Sequence, residues 1–175
     1  MTQRIALLFG LSLIAGLASA QSAQEIRTQF FAEVDAVKAQ ADELNAKMLA
    51  PEVYAEGLEL YVEAGDTLAK GKNLDDVRED LAEAKGHFQT AVEKATLANT
   101  TFAGALTARG DAEKAGAAQY AARDWQKAEE ELVEAATVLE GGNLKRAADL
   151  AGDIEKSYRE VEADAIAAKA RAGAN

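Results

Sequence analysis

Cysteine is absent from the chain, proline occurs once, at Pro51, and histidine once, at His87. Without cysteine there is neither a disulfide nor a thiolate metal ligand, so stability has to come from packing. A lone histidine needs carboxylates to complete any transition-metal site. Runs of alternating Val, Ile and Thr that would mark strands are missing, and aromatic residues make up only 6% of the chain. Basic residues are the minority charge: 19 Lys and Arg stand against 30 Asp and Glu, a formal net charge of −11. That balance leaves no electrostatic footprint for nucleic acid or for an anionic membrane surface, and neither is expected as a partner. Gly104, Gly110 and Gly116 recur inside a helical pattern rather than as a phosphate loop behind a strand, and Ser157 has no nucleophile-elbow glycines. The chain therefore reads as a non-enzyme, with no catalytic, cofactor-binding or metal-binding residue and no cofactor.

What is present begins with Arg4, an almost unbroken apolar run from Ile5 to Leu17, and the small residues Ala18-Ser19-Ala20. At about 13 residues the run falls short of the roughly 20 that span a bilayer, and together the three features spell a secretory signal peptide. Cleavage is expected after Ala20, giving an exported, periplasmic protein that starts at Gln21 and keeps no stable membrane anchor. No cysteine stands at the cleavage site to carry a lipid. Residues 21–175 are long enough for one domain with a core of its own.

Nearly half the residues are apolar, and about half of these are alanine, a composition for helices packed closely through small side chains. Ser22-Ala23-Gln24-Glu25 reads as a capping box that opens a helix. Behind it Ile26, Phe30, Val34, Val37, Ala41, Leu44 and Met48 form one stripe at helical spacing. Pro51 interrupts that helix and starts the next, which carries Tyr54, Leu58, Tyr61, Ala64 and Leu68 up to a stop at Gly71. Asn73 with Asp76 marks a new start, followed by Leu74, Val77, Leu81, Ala84, Phe88, Ala91, Ala95 and Ala98. At Asn99-Thr100-Thr101 the helix either ends or runs on through Leu106 to Gly110. After Gly110-Asp111 the pattern Ala118, Ala121, Trp125, Ala128, Leu132, Ala135 and Leu139 ends at Gly141-Gly142, and Leu144, Ala147, Ala151, Ile154, Tyr158, Val161 and Ala165 build the last helix. The fold class is all-α.

The chain also repeats itself. Glu59, Val62, Glu63, Ala64, Leu68, Gly71, Asn73 and Leu74 reappear in order as Glu130, Val133, Glu134, Ala135, Leu139, Gly142, Asn143 and Leu144. The spacing of 71 residues, from Glu59 to Glu130, also places Phe31 on Phe102, Lys38 on Arg109 and Tyr54 on Trp125. Past the turn it shortens by one, the first copy holding the extra Lys72, and Phe88 falls on Tyr158. Aromatic on aromatic is not what an alanine-rich background supplies by chance. A tandem duplication follows, with unit one at about 22–98 and unit two at about 99–170, forming an antiparallel helical bundle or short solenoid of two helical-hairpin units.

Tyr120-Ala121, Trp125, Ala128-Glu129, Leu132, Ala135, Leu139-Glu140, Gly142, Ala147 and Tyr158-Arg159-Glu160 resemble an Ala-rich helical domain family of unknown function in bacterial envelope proteins. Some relatives in that family are fused to OmpA-like, peptidoglycan-binding modules; no such module lies in this sequence, and a wall-anchoring role is not implied. The resemblance covers unit two well and unit one more loosely, and implies a helical fold and an envelope location without an active site. The chain is also loosely similar to tetratricopeptide pairs, although its helices are too long for a 34-residue repeat.

His87 is expected as a solvated or partly packed side chain. The acidic clusters Asp75, Asp76, Glu79, Asp80, Glu83 and Glu129, Glu130, Glu131, Glu134 are expected as solvated helix faces, the first favoured by the helix macrodipole; Asp76, Asp80 and Glu83 share a face that suits at most weak Ca²⁺ binding. Tyr54, Tyr61, Tyr120 and Trp125 are expected in the core rather than along a partner groove. The function expected is that of an exported scaffold, adaptor or chaperone-like protein-binding module whose partner is another envelope protein, with self-association as a further possibility through leftover stripes. The alternative is a small-ligand or divalent-cation-binding protein that uses the acidic faces.

Overall fold

The computed structural model describes residues 12–71 and 73–174, with side chains from Gln24 onward. Arg4, the first part of the apolar run and the extra residue Lys72 lie outside the described residues. Among the described residues eight helices follow one another and no strand occurs: α1 (Ser12–Glu43), α2 (Ala46–Leu49), α3 (Pro51–Ala69), α4 (Leu74–Thr101), α5 (Ala103–Ala115), α6 (Ala117–Tyr120), α7 (Ala122–Glu140) and α8 (Leu144–Gly173). The protein is all-α.

Two units stand end to end, each of three main helices and one four-residue helix, α1–α4 and α5–α8. In unit one α4 packs along α3 and α1; in unit two α8 packs along α7 and α5. The first and last helices of each unit run parallel, since Phe30 and Glu33 of α1 meet Arg78 and Lys85 of α4 in the same order, as Gly104 and Asp111 of α5 meet Glu155 and Arg159 of α8, and α3 and α7 run back between their ends. Helix α5 continues α4 across the seam at Phe102, whose φ of −102° and ψ of 17° interrupt the helix for one residue. Upstream of that point Thr96, Asn99, Thr100 and Thr101 each hydrogen-bond the carbonyl four residues back, a habit that bends helices. The poor helix formers thus lie within α4, and the interruption falls just after them.

Each unit breaks its long first helix in the same way. Asn45 (φ 55°, ψ 37°) and Gly116 (φ 88°, ψ 31°) are left-handed, and a four-residue helix follows each. Ala50 (φ −146°, ψ 59°) and Ala121 (φ −138°, ψ 41°) then turn the chain into α3 and α7. The amides of Met48, Leu49 and Tyr54 reach the carbonyls of Asn45 and Ala50 just as those of Gln119, Tyr120 and Trp125 reach Gly116 and Ala121. The hairpin turns agree too: Gly71 and Gly142 are left-handed, and Asn73 and Asn143 cap α4 and α8 through their side-chain oxygens.

These breaks correct several expectations. The stop expected at Gly110 is absent: Gly110 lies inside α5, and the chain breaks at Gly116. Glycine inside a helix costs about 1 kcal/mol relative to alanine, and the buried neighbours Ala105, Ala108 and Ala112 hold α5 together across it. The left-handed residues reset the helical phase, so Ala46 and Leu49, then Ala117, point inward, whereas Leu44 and Met48 are half-buried and Ala118 is exposed. In α1 the buried aromatic is Phe31, edge-on to Tyr61 of α3, and Phe30 sits at the rim beneath Arg78. Ile26 is exposed, as are Leu74 and Leu144 in the opening turns of α4 and α8, ahead of the packed stripes. Ser22 does not open a helix, because α1 runs back to Ser12 through helix-compatible apolar residues. The core is Phe31, Leu49, Phe88, Phe102, Leu132 and Tyr158 set among buried alanines, which let the helices approach closely.

Candidate functional site

Each unit carries a clasp built on the returning helix. In unit one the hydroxyl of buried Tyr54 donates to Asp42 Oδ1 at 2.5 Å, and Lys38 Nζ donates to Asp42 Oδ2 at 2.8 Å. Lys38 also stands 5.8 Å from the Tyr54 ring, and Phe88 packs edge-on to Tyr54 with centroids 5.4 Å apart. Unit two rebuilds this with heavier parts. Arg109 stands 5.3 Å from the Trp125 ring and 3.8 Å from Glu113, and Tyr158 lies 5.7 Å from Trp125. A cation over an aromatic face is attracted by the ring quadrupole, and more strongly where water is displaced.

The two clasps differ by a linked pair of exchanges. Leu58 and Phe88 of unit one become Glu129 and Tyr158 in unit two. Arg109 grips Glu129 with two bonds, Nε to Oε1 at 2.7 Å and Nη2 to Oε2 at 2.9 Å, and the fully buried Tyr158 donates to Glu129 Oε1 at 2.7 Å. Burial first, and then the bond to Glu129, hold the Tyr158 hydroxyl far above the ordinary tyrosine range. The bond to Glu129 raises Arg109 as well. Around Asp42 burial pushes the carboxyl upward, but the bonds from Lys38 and Tyr54 outweigh it and hold the group below its ordinary value.

The seam between the units is made by Glu140, the last residue of α7 and the one charged side chain buried among the described residues. Its carboxylate accepts the Val53 amide at 2.7 Å and the Glu52 amide at 3.0 Å, the opening amides of α3. Ala50, at the N-cap of α3, has no side chain with which to cap, so unit two supplies the cap for unit one. Lys94 of α4 donates to the Glu140 carbonyl across the seam at 2.6 Å, and within unit one Asn99 of α4 donates to the Leu44 carbonyl at 3.1 Å. Beside the seam a groove of about 490 Å³ runs between Asp42, Asn45, Met48, Arg109, Glu129 and Val133, so both clasps border it.

The other residues singled out in the sequence are scattered. His87 is 27% exposed; its Nδ1 lies 3.1 Å from Glu56 of α3 and its Nε2 3.9 Å from Glu83, so it ties α4 to α3. Asp75 pairs with Arg78, and Asp76 accepts from Asn73 in the helix cap. The second acidic cluster divides: Glu129 turns into the clasp, Glu131 meets Lys127 and Ser157, and Glu130 meets Gln126. Glu129 is therefore no solvated carboxylate, because Arg109 and Tyr158 enclose it. Tyr54 is buried, while Tyr61, Tyr120 and Trp125 are half-buried. Among the described residues no three His, Asp or Glu side chains converge to hold a metal ion, and no helix is long and apolar enough to cross a membrane.

Glu140 is the residue that pattern reading missed. Two signals point to it: a carboxylate in the last turn opposes the helix macrodipole, and α3 starts behind Ala50 without a capping residue. Each anomaly resolves the other across 87 positions of chain. The fold and site define a class, that of a two-unit all-helical repeat held by one charged seam. In comparisons with known proteins the chain matches no family model, no curated protein and no solved structure.

Proposed function

We propose that the chain is an exported, non-enzymatic helical-repeat protein of the bacterial envelope that works by binding another protein, as a scaffold, adaptor or chaperone-like module. The observation that carries this reading is a repeat alike inside and different outside. The breaks, clasps and turns of the units correspond, whereas exposed Asp75 and Asp76 at the start of α4 are replaced by Lys145 and Arg146, also exposed, at the equivalent positions of α8. Repeat architectures keep their packing positions and vary their faces to bind. Arg4, the apolar run and Ala18-Ser19-Ala20 support export, and the resemblance of unit two supports the envelope location.

Mass spectrometry of the protein from a periplasmic fraction should give a chain beginning at Gln21; a chain beginning at Met1 in the membrane fraction overturns the export reading. Cross-linking in the envelope, followed by reconstitution with the purified partner, should yield a complex of fixed stoichiometry. A second reading, small-ligand or cation binding, draws on the groove beside the seam and its charged lining. A melting shift with Ca²⁺ or a small polar ligand, in the absence of any protein complex, would favour it instead.

A further inference from the structure

The geometry points to a latch and hinge between the units: we propose that Glu140 is a latch whose release lets the units swing about Phe102, uncovering the apolar start of α3. The hinge side rests on a comparison within the chain. Phe31 and Phe102 are equivalent and both fully buried, yet Phe31 sits in an unbroken helix and only Phe102 interrupts one. The interruption therefore belongs to the junction, not to the residue type. Across the seam α7 touches α2, α3 and α4 more thinly than α4 touches α1 and α3 or α8 touches α5 and α7.

The latch side rests on a second comparison. Leu49, Ala50 and Val53 are buried, whereas their equivalents Tyr120 and Ala121 are half-buried and Asp124 is exposed. Ala50 and Ala121 are the same residue in nearly the same conformation, so the difference in burial comes from what covers them, which is the end of α7. The equivalent of Glu140 is Ala69, exposed at the free end of unit one. A carboxylate thus stands only where two units meet, and at the outward start of α7 valine has given way to aspartate. Hydrogen bonds to a charged acceptor contribute more than neutral ones, and a cap with no local substitute is lost entirely when its owner moves away. Glu140 is a positioning residue that sets the angle between the units.

Because the chain has no cysteine, paired labels can be placed without background. Spin labels at Ala69→Cys and Ala163→Cys, exposed positions in different units, should give one narrow distance distribution in the full chain. In the Glu140→Ala variant its width should at least double. Glu140→Gln, which keeps one acceptor oxygen, should fall between. A control pair at Ala36→Cys and Ala69→Cys, both within unit one, should not change in any variant. Circular dichroism and Trp125 fluorescence check that the units stay folded. A Glu140→Ala distribution as narrow as that of the parent, with both units folded, overturns the proposal, as does broadening of the control pair to the same extent.

Discussion

Asn45 and Gly116 hold the same left-handed backbone at equivalent places in the two units, and each ends the long first helix of its unit one short helix before the chain turns back. One copy uses the residue that has no Cβ to clash; the other uses asparagine, which tolerates this region best among residues that have one. The break is what brings Tyr54 and Trp125 round to their clasps. Two solutions to one backbone demand make the demand itself visible.

Replacing Gly116 with alanine should cost about 1–2 kcal/mol for the left-handed Cβ. The added carbon also lies 3.0 Å from Tyr120 Cδ2, so that ring must give way as well. Asn45→Gly should be close to neutral or slightly stabilising, because it relieves residual strain while loosening the unfolded chain. Urea titrations of the two variants check the asymmetry; equal losses would mean that the left-handed geometry is not what the position selects.

Gly86, Gly110 and Gly152 lie inside helices, and a Cβ added at any of them would meet nothing within 4 Å. Alanine at each should stabilise the protein by roughly 0.5–1 kcal/mol through helix propensity. Gly71 and Gly142 are equally open, but their φ values of 62° and 87° turn the same change into a loss. Thermal melts of Gly110→Ala and Gly71→Ala should therefore move in opposite directions, and a destabilising Gly110→Ala would argue that α5 does break there.

Most of the architecture was legible because it rests on local rules. The hairpin turns announced themselves through Gly71-Asn73 and Gly142-Asn143, and the duplication through Phe31 and Phe102, Tyr54 and Trp125. Val34 and Ala41 of α1 are buried as their spacing implies, but the phase beyond them was not legible, since the inward turn of Ala46 and Leu49 depends on Asn45 adopting a left-handed conformation, and asparagine serves equally well inside a helix face or at a cap. Gly110 and Gly116 could not be ranked as stops by composition; only the demand for a positive φ separates them. Glu129 looked like a member of an acidic surface, and Glu140 carried no local signal of its capping role, because their partners, Tyr158 and the opening amides of α3, lie far away in the chain.

Tyr158 ties the fold to alkaline pH. Its hydroxyl titrates far above the ordinary tyrosine value near 10, through burial and then the bond to Glu129, so the folded state keeps a proton that the unfolded state gives up. The contribution is fully present below about pH 10 and is lost as the pH rises further, because the unfolded chain is then favoured by ionisation. Unfolding curves at stepped pH should show stability falling above that point. Tyr158→Phe should cost about 1 kcal/mol at neutral pH and flatten the alkaline fall. An unchanged slope in the variant would assign the fall to other groups.

The cap that Glu140 provides can be read at single amides. In the native chain the Val53 and Glu52 amides should exchange with solvent far more slowly than those of Arg123 and Asp124, their equivalents at the start of α7, where Ala121 offers no side-chain cap. Leaving donors without their acceptor costs about 1–3 kcal/mol, and each 1.4 kcal/mol is tenfold in an equilibrium. Glu140→Ala should therefore speed exchange at Glu52 and Val53 by roughly tenfold or more and leave Arg123 and Asp124 as they were. Exchange that rises equally at both helix starts would mean general loosening rather than loss of a cap, and slow exchange at Val53 in the variant would mean that something other than the α7 carboxylate satisfies the start of α3.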